Sequence, residues 1–134
     1  MRVFVYFNLH RKCLSVKALD GERKGRVIAH AKAVELVGVT FKVSEAGRQR
    51  VIREQRKNVH AGVVGMLTSL DVNPSTMQIA EALLTPVKYN PYKFRTFVKA
   101  VSECPVQHAK RAIVASNNGR GVIYADGFWQ SPSA

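Results

Sequence analysis

Residues 34–57, with the sequence VELVGVTFKVSEAGRQRVIREQRK, decide the fold because the hydrophobic period changes within them. In the first part, apolar side chains alternate with small or polar ones, which is the period of a half-buried strand. The alternating apolar residues are Val37, Val39, Phe41 and Val43. At Ser44, a preferred N-cap residue, the alternation stops, and Glu45 follows at the positive end of a helix dipole. The stretch therefore predicts a strand over 34–43 and a helix over about 45–57.

Outside this stretch, runs rich in β-branched and aromatic residues predict further strands. These runs cover 2–7, 13–19, 26–31, 59–70, 86–89, 93–98, 109–115 and 122–125. A short second helix over 77–84, with Ile79, Leu83 and Leu84 on one face, is a weaker prediction. No repeat or linker interrupts the chain, so we predict a single domain over residues 1–134. Its class is α+β, a mostly antiparallel sheet of about eight strands with one Arg-rich helix.

The charge of the chain is strongly unbalanced. Twenty-one Lys and Arg residues against nine Asp and Glu residues give a formal net charge of +12, which predicts attraction to polyanions. We expect a cytoplasmic protein without a membrane partner, because no run reaches about 20 apolar residues and the N-terminus lacks a signal-peptide pattern. Cys13 and Cys104 are expected to be reduced thiols, although two cysteines also allow one disulfide.

The predicted helix concentrates positive charge. It carries Arg48, Arg50, Arg53, Arg56 and Lys57 against only Glu45 and Glu54. At about 100° per residue, Arg50, Arg53 and Lys57 share one face, with Arg56 at its flank. Like charges at this spacing repel each other, and a bound polyanion would relieve the repulsion. The alternative is a merely solvated face, which more often mixes both signs of charge.

Arg48 occupies a different position on the same helix. It falls between Val51 and Ile52, on the side expected to face the sheet. An unpaired buried guanidinium costs several kcal/mol, so Arg48 requires a partner. Two interpretations stay open. The first is an ion pair with an internal carboxylate such as Glu35 or Asp71, which is the more common arrangement for a buried arginine. The second is a contact with ligand in a cavity.

A second basic cluster spans residues 88–97, with the sequence KYNPYKFRTF. Rings stack on a base, cations bind phosphates and an amide reads a base edge, so the mixture suits a nucleotide pocket. The candidate ligand contacts here are Tyr89, Asn90, Tyr92, Lys93 and Arg95, and Arg26 of the basic turn 23–26 is a further candidate. The alternative is an amphipathic strand with Phe94 and Tyr92 in the core.

The sequence offers little for catalysis. The acids are scattered, and no phosphate-binding glycine loop is present. The histidines, His10, His30, His60 and His108, lack metal-ligand spacing. A Cys13–His30 nucleophile pair is weighed and disfavoured, and His60 is the one histidine that we consider as a phosphate donor. We predict no catalytic residue, no metal and no cofactor.

Two segments resemble a known family. The run 40–61, TFKVSEAGRQRVIREQRKNVHA, and the run 89–93, YNPYK, resemble the first-type Thoeris anti-defence proteins of phages. The resemblance covers about a quarter of the chain. It implies a sponge, meaning a protein that sequesters immune signalling nucleotides without cleaving them, in the host cell cytoplasm. It also implies a homo-oligomer, a dimer or a larger assembly such as a hexamer, that binds cyclic ADP-ribose isomers and in some members cyclic oligonucleotides.

The resemblance further implies that the basic and aromatic residues of both segments contact the ligand. The expected function is therefore nucleotide sequestration by arginine charge and aromatic stacking. One alternative is a phage DNA- or RNA-binding protein whose Arg-rich helix follows a phosphate backbone. Another is a protein that blocks a host enzyme by direct contact.

Overall fold

The computed structural model describes residues 1–55, 61–117 and 120–130, which form nine strands and two helices. The strands are β1 (Arg2–Asn8), β2 (Cys13–Ala18), β3 (Val27–Ala31), β4 (Ala33–Val43), β5 (Ala61–Leu70), β6 (Thr85–Lys88), β7 (Val98–Lys99), β8 (His108–Asn117) and β9 (Arg120–Asp126). The helices are α1 (Glu45–Glu54) and α2 (Pro74–Leu83). The α+β class is confirmed, but the described part of the chain has nine strands and not about eight, and the second helix, predicted over 77–84, spans Pro74–Leu83.

All nine strands belong to one antiparallel sheet with the order β3-β2-β1-β5-β4-β8-β9-β6-β7. The sheet curls, so that the end of β1 approaches β9 although three strands lie between them. A Cβ atom added at Gly121 would lie 3.1 Å from the Cβ of Phe7. Nearby, the hydroxyl of Ser116 donates to the backbone oxygen of Lys12 at 3.0 Å.

The concave face of the curled sheet holds the main core. This core includes Val3, Val5, Leu14, Val16, Val34, Leu36, Phe41, Val63 and Val114. Helix α2 covers part of the opposite face, where Ala80 and Leu84 pack with Ile113 of β8. Ile79 and Leu83 are exposed, so the predicted apolar face of this helix is wrong in its orientation. Neither helix in the described ranges is long and apolar enough to cross a membrane.

The predicted alternation of β4 holds only beyond Gly38. Val39 and Phe41 point into the core, whereas Val37 is 37% exposed. The register of β4 against β5 shifts between Val37 and Thr40, and Gly38 within that shift has a φ of +60°. Glycine adopts this left-handed conformation without the steric penalty of a side chain. The extra residue therefore reverses the phase of the strand, and Val37 faces solvent.

Helix α1 begins where the sequence predicts and ends earlier. The Ser44 side chain accepts a hydrogen bond from the backbone N–H of Gly47 at 3.2 Å, which confirms the cap. Gln55 has a φ of +53°, a left-handed conformation that ends the helix at Glu54. The predicted extension through residue 55 is therefore wrong. Arg56, Lys57 and His60 lie outside the described residues.

Candidate functional site

Arg48 connects helix α1 to the turn at residues 90–94. The Nε atom of Arg48 donates to the backbone oxygens of Pro91 at 2.9 Å and Phe94 at 3.0 Å. Its Nη1 atom donates to Glu45 at 3.1 Å, one turn earlier on the same helix. The arginine is only 8% exposed, so these bonds compensate for the water that it loses. The need for a partner is confirmed, but the predicted partners Glu35 and Asp71 are wrong.

The turn itself is built by Asn90. Its side-chain oxygen accepts from the backbone N–H of Tyr92 at 2.9 Å. Its backbone oxygen accepts from the N–H groups of Lys93 at 3.1 Å and Phe94 at 2.8 Å. Asparagine before proline is a strong turn former, and here its turn occupies the residues that alternation assigned to a strand. The predicted strand over 93–98 is therefore wrong, and β7 has only two residues, Val98 and Lys99.

Two lysines converge on one carboxylate beside this turn. The Nζ atoms of Lys88 and Lys93 lie 3.4 Å and 3.2 Å from the same oxygen of Glu103. Both Nζ atoms also lie over the ring of Phe94, at 5.8 Å and 5.3 Å from its centroid. The hydrogen bond from Lys93 is the main cause that lowers the pKa of Glu103 below its usual 4.5. Glu103 is thus the shared counter-ion of both lysines.

A cleft of about 410 Å³ opens on the concave side of the sheet, next to the turn. Its lining comes from β1, β5, β6, β8 and β9 and is mostly apolar and aromatic. The members that matter here are Phe7, Ala61, Lys88, Tyr89, Phe97 and Gly121. The rings of Tyr89 and Phe97 are 5.1 Å apart. Ligand pockets in proteins have volumes of about 300–1,000 Å³ and this apolar character.

Tyr89 links the cleft to Arg48 of helix α1. Its side chain lines the cleft, and burial raises the pKa of its phenol. The charge of Arg48 lowers that pKa and the charge of Glu45 raises it, so both groups lie near the phenol. Arg95 is also close, because its charge contributes to the lowered pKa of Glu45 after the larger effects of Gln49 and Arg48. The two predicted basic segments therefore meet at the Tyr89 end of the cleft.

The structure does not bring all the predicted contacts together. Arg50 and Arg53 are exposed, about 200° and 140° around α1 from Arg48, so they point away from the turn. Arg26 lies in the loop beside the Arg2 end of β1, whereas the cleft lies at the Phe7 end. Tyr92 is 60% exposed and projects from the turn.

Several residues that line the cleft were not predicted from the sequence. Phe7, Gly121 and Ile123 line the cleft but come from segments far apart in the chain. Lys88 and Phe97 also line it, and both belong to the predicted cluster 88–97 but were not among the candidate contacts. The alternation of Lys with aromatic residues could have indicated these two, whereas only the curl of the sheet identifies the others.

The structure also places the cysteines and histidines that the sequence analysis considered. Cys13 and Cys104 are both free thiols. His30 lies opposite Ser15 in the ladder between β2 and β3, and its Nδ1 is 3.2 Å from the Ser15 hydroxyl. A Cys13–His30 pair is therefore absent from this arrangement. Among the described residues, no group of three His, Cys, Asp or Glu side chains is placed to hold a metal ion.

Comparison with known proteins gives one family. The family model described as Mycobacterium phage L5 gene 82 protein matches residues 1–122. The protein named Gene 82 protein, from Mycobacterium phage L5, is 40% identical over 126 residues, which cover 90% of this chain and 94% of that protein. No solved structure matches the chain.

Proposed function

The chain belongs to the Mycobacterium phage L5 gene 82 protein family, and we propose that this phage protein binds a signalling nucleotide and sequesters it uncleaved. The base of the nucleotide would occupy the cleft, and its phosphates would meet the basic residues at the Tyr89 end. The ligand classes to test first are cyclic ADP-ribose isomers and cyclic oligonucleotides, as the resemblance of the two basic segments implies.

The observation that carries the proposal is the joint placement of rings and cations at one cleft. Phe7, Tyr89 and Phe97 supply aromatic surface in a volume of about 410 Å³. Base–aromatic stacking contributes about 1–3 kcal/mol per base. Lys88 lines the same cleft, and Lys93 shares its carboxylate partner, Glu103. A nucleotide that is planar at one end and anionic at the other complements this arrangement.

The geometry also supports the choice of a compact ligand over a long polymer at this site. The cleft is concave, and its lining is mostly apolar and aromatic, with Lys88 as its charged residue. A polymer is better served by an extended stripe of cations. A sponge needs affinity without turnover, and a mostly apolar lining supplies contact area for that purpose.

We also propose that the protein assembles as a homo-oligomer. Strand β3 forms one edge of the sheet, and its five residues leave a row of backbone groups available for pairing. Analytical ultracentrifugation of the purified protein tests this point. A single species with the mass of one chain at all concentrations would refute it.

The test of nucleotide binding is calorimetry with a cleft-blocking variant. Ala61 is half-buried at the cleft, so Ala61→Trp fills the space meant for the base. Ala82→Trp, at an exposed position of α2, is the matched control. We expect one cyclic nucleotide to bind the parent protein and Ala82→Trp alike, and to be recovered intact after denaturation. Ala61→Trp should bind it at least about tenfold more weakly.

Two results would contradict this proposal. If none of the cyclic ADP-ribose isomers and cyclic oligonucleotides tested raises the melting temperature of the parent protein, the sponge function fails. A ligand present at 100 times its dissociation constant stabilises a protein by about 2.7 kcal/mol, so binding would be visible. If Ala61→Trp binds as tightly as the control, the cleft is not the site.

A second candidate function is binding of duplex DNA or RNA by helix α1. The observation that favours it is the exposure of Arg50 and Arg53 on the side of α1 away from the turn. Each phosphate contact on duplex DNA contributes about 0.9 to the log–log salt slope, so the affinity would fall steeply with salt. A nucleotide held mainly by the cleft would respond to salt much more weakly.

A further inference from the structure

The convex face of the sheet carries a row of side chains, of which Tyr6 alone also lines the cleft. In β1, Val3 and Val5 point into the core, so Phe4 and Tyr6 point to the opposite face. Phe4 lies opposite Val64 of β5, Val64 opposite Thr40 of β4, and Thr40 opposite His108 of β8. Residues paired in this way present their side chains on one face.

The row ends in two stacked aromatic rings, those of His108 and Trp129. A bridge pairs His108 with Trp129, and their rings are 4.1 Å apart with an angle of 15° between their planes. The imidazole is also fixed from the other side, because its Nδ1 is 3.1 Å from the hydroxyl of Thr40. Trp129 remains 47% exposed, so the indole has an open surface on which another ring can stack.

Aromatic side chains also occupy the other end of the row. The rings of Phe4 and Tyr6 are 5.7 Å apart. The Phe4 ring lies over Gly62, where an added Cβ would come within 2.7 Å of it. From β1 to the strand position of Trp129 there are four strand spacings, or about 19 Å.

Positive charge flanks the aromatic groups at this face. Lys17 of β2 lies opposite Phe4. Lys42 of β4 lies opposite Gly62, the glycine that the Phe4 ring covers. Both lysines can reach an anion that follows the row, and the chain carries a net charge of +12. Rings spaced along an exposed sheet face, with cations beside them, are the arrangement that binds unpaired bases and their phosphates.

From these observations we propose that the convex face, defined by Phe4, Tyr6, Lys42, His108 and Trp129, binds single-stranded nucleic acid. Successive bases stack on Trp129 at one end and on Phe4 and Tyr6 at the other. Lys42 contacts the phosphates between these two ends, and Lys17 contacts the phosphates beyond Phe4. Phe4, Lys42, His108 and Trp129 of this face do not line the cleft, which lies on the concave side of the same sheet, and Tyr6 borders both. The convex face therefore does not depend on the proposed nucleotide site.

Trp129 is the single tryptophan of the chain, so its fluorescence reports on this face. The experiment titrates the parent protein with oligothymidylate of about ten nucleotides, within the usual range of site sizes. An abasic oligomer of the same length and charge is the matched probe. We expect saturable quenching of Trp129 by oligothymidylate and at least about tenfold weaker binding of the abasic oligomer. Equal binding of both oligomers, or no quenching, would overturn the proposal.

Variants separate this face from the rest of the basic protein, with fluorescence anisotropy of a labelled oligothymidylate as the measurement. Trp129→Leu should weaken binding at least about tenfold, and Trp129→Phe, which keeps an aromatic ring, should retain most of it. Lys42→Glu should weaken binding in a chain whose aromatic groups are intact. Ala61→Trp, which blocks the cleft, should leave oligothymidylate binding unchanged. Parent-like binding by Trp129→Leu would refute the role of the stack.

The two proposals can therefore fail independently. Loss of cyclic nucleotide binding in Ala61→Trp with oligothymidylate binding preserved supports both sites. Absence of any cyclic nucleotide binding, together with Trp129 quenching by oligothymidylate, refutes only the sponge. Cyclic nucleotide binding without quenching refutes only the convex-face site.

Discussion

Replacing Arg48 with methionine removes the group that fastens helix α1 to the turn at 90–94, while keeping most of the side-chain length. The Nε hydrogen bonds to Pro91 and Phe94 are lost, and two carbonyl oxygens lose a charged donor. A hydrogen bond to a charged group contributes about 1.5–3 kcal/mol. Both carbonyls belong to half-buried residues that water can partly reach, and one N–H serves both. We therefore expect a loss of about 2–3 kcal/mol in the free energy of unfolding.

The ion pair with Glu45 is left out of that figure because its carboxylate is exposed and solvent screens it. The measurement is urea unfolding followed by circular dichroism, with Arg50→Met as the control. Arg50 is on the same helix and exposed, so its replacement should change stability by less than about 0.5 kcal/mol. If Arg48→Met and Arg50→Met unfold at the same urea concentration, Arg48 does not hold the turn and the reasoning is refuted.

Two further changes test the sheet and the lysine pair. Gly62→Ala places a Cβ 2.5 Å from the backbone oxygen of Val5, which cannot move aside as a side chain could, so a loss of about 1–3 kcal/mol is expected in urea unfolding. Ser69→Ala, near the exposed end of the same strand, is its control, and equal stability of the two variants would contradict the close approach. Because the partnership with Lys93 lowers the pKa of Glu103, its stabilising effect is present above pH 4.5 and is lost as the pH falls through the lowered pKa. Glu103→Gln should therefore have a lower melting temperature than the parent at pH 7 and the same melting temperature at strongly acidic pH. A difference in melting temperature that persists in acid would exclude this ion pair as the cause.

The local pattern of the sequence was sufficient for most elements. The change of period at Ser44 and the capping preference of serine act within a few residues, and the strand and helix on either side are confirmed. A phase change was not predictable in the same way. Gly38 reads as an ordinary small residue in a strand, and only pairing with β5 shows that it carries the register shift.

The turn at 90–94 shows how a local pattern misleads. Alternation of aromatic and charged residues after Pro91 is typical of a strand, yet these residues form a turn. Three sets of hydrogen bonds stabilise the turn over a strand. The Asn90 side chain accepts from Tyr92, the Asn90 backbone oxygen accepts from Lys93 and Phe94, and Arg48 donates to the backbone oxygens of Pro91 and Phe94. The first two could be inferred from asparagine preceding proline. The third requires knowledge that α1 lies beside the turn.

The cleft could not be predicted, because it arises from the curl of the whole sheet. Phe7 of β1 lies beside Gly121 of β9, which is more than a hundred residues further along the chain. The cleft is the space enclosed by these strands. Composition predicted an affinity for anions, and that property says nothing about where an apolar pocket forms. The same holds for the convex face, where Phe4 and Trp129 share a row only because four intervening strand pairings align them.

The two segments that carry the resemblance to nucleotide sponges are also the two segments that Arg48 joins. The first contains Arg48 and Glu45, and the second contains Pro91, whose carbonyl accepts the Arg48 hydrogen bond. Their joint occurrence in one chain therefore has a structural cause that needs no ligand, because each segment stabilises the other. It follows that the two motifs occur together for a structural reason, whether or not the chains that carry them share a ligand. The discriminating residues are those with exposed or cleft-facing atoms, Tyr89 and Lys88 above all, and substitutions there, rather than at Arg48, separate ligand binding from folding.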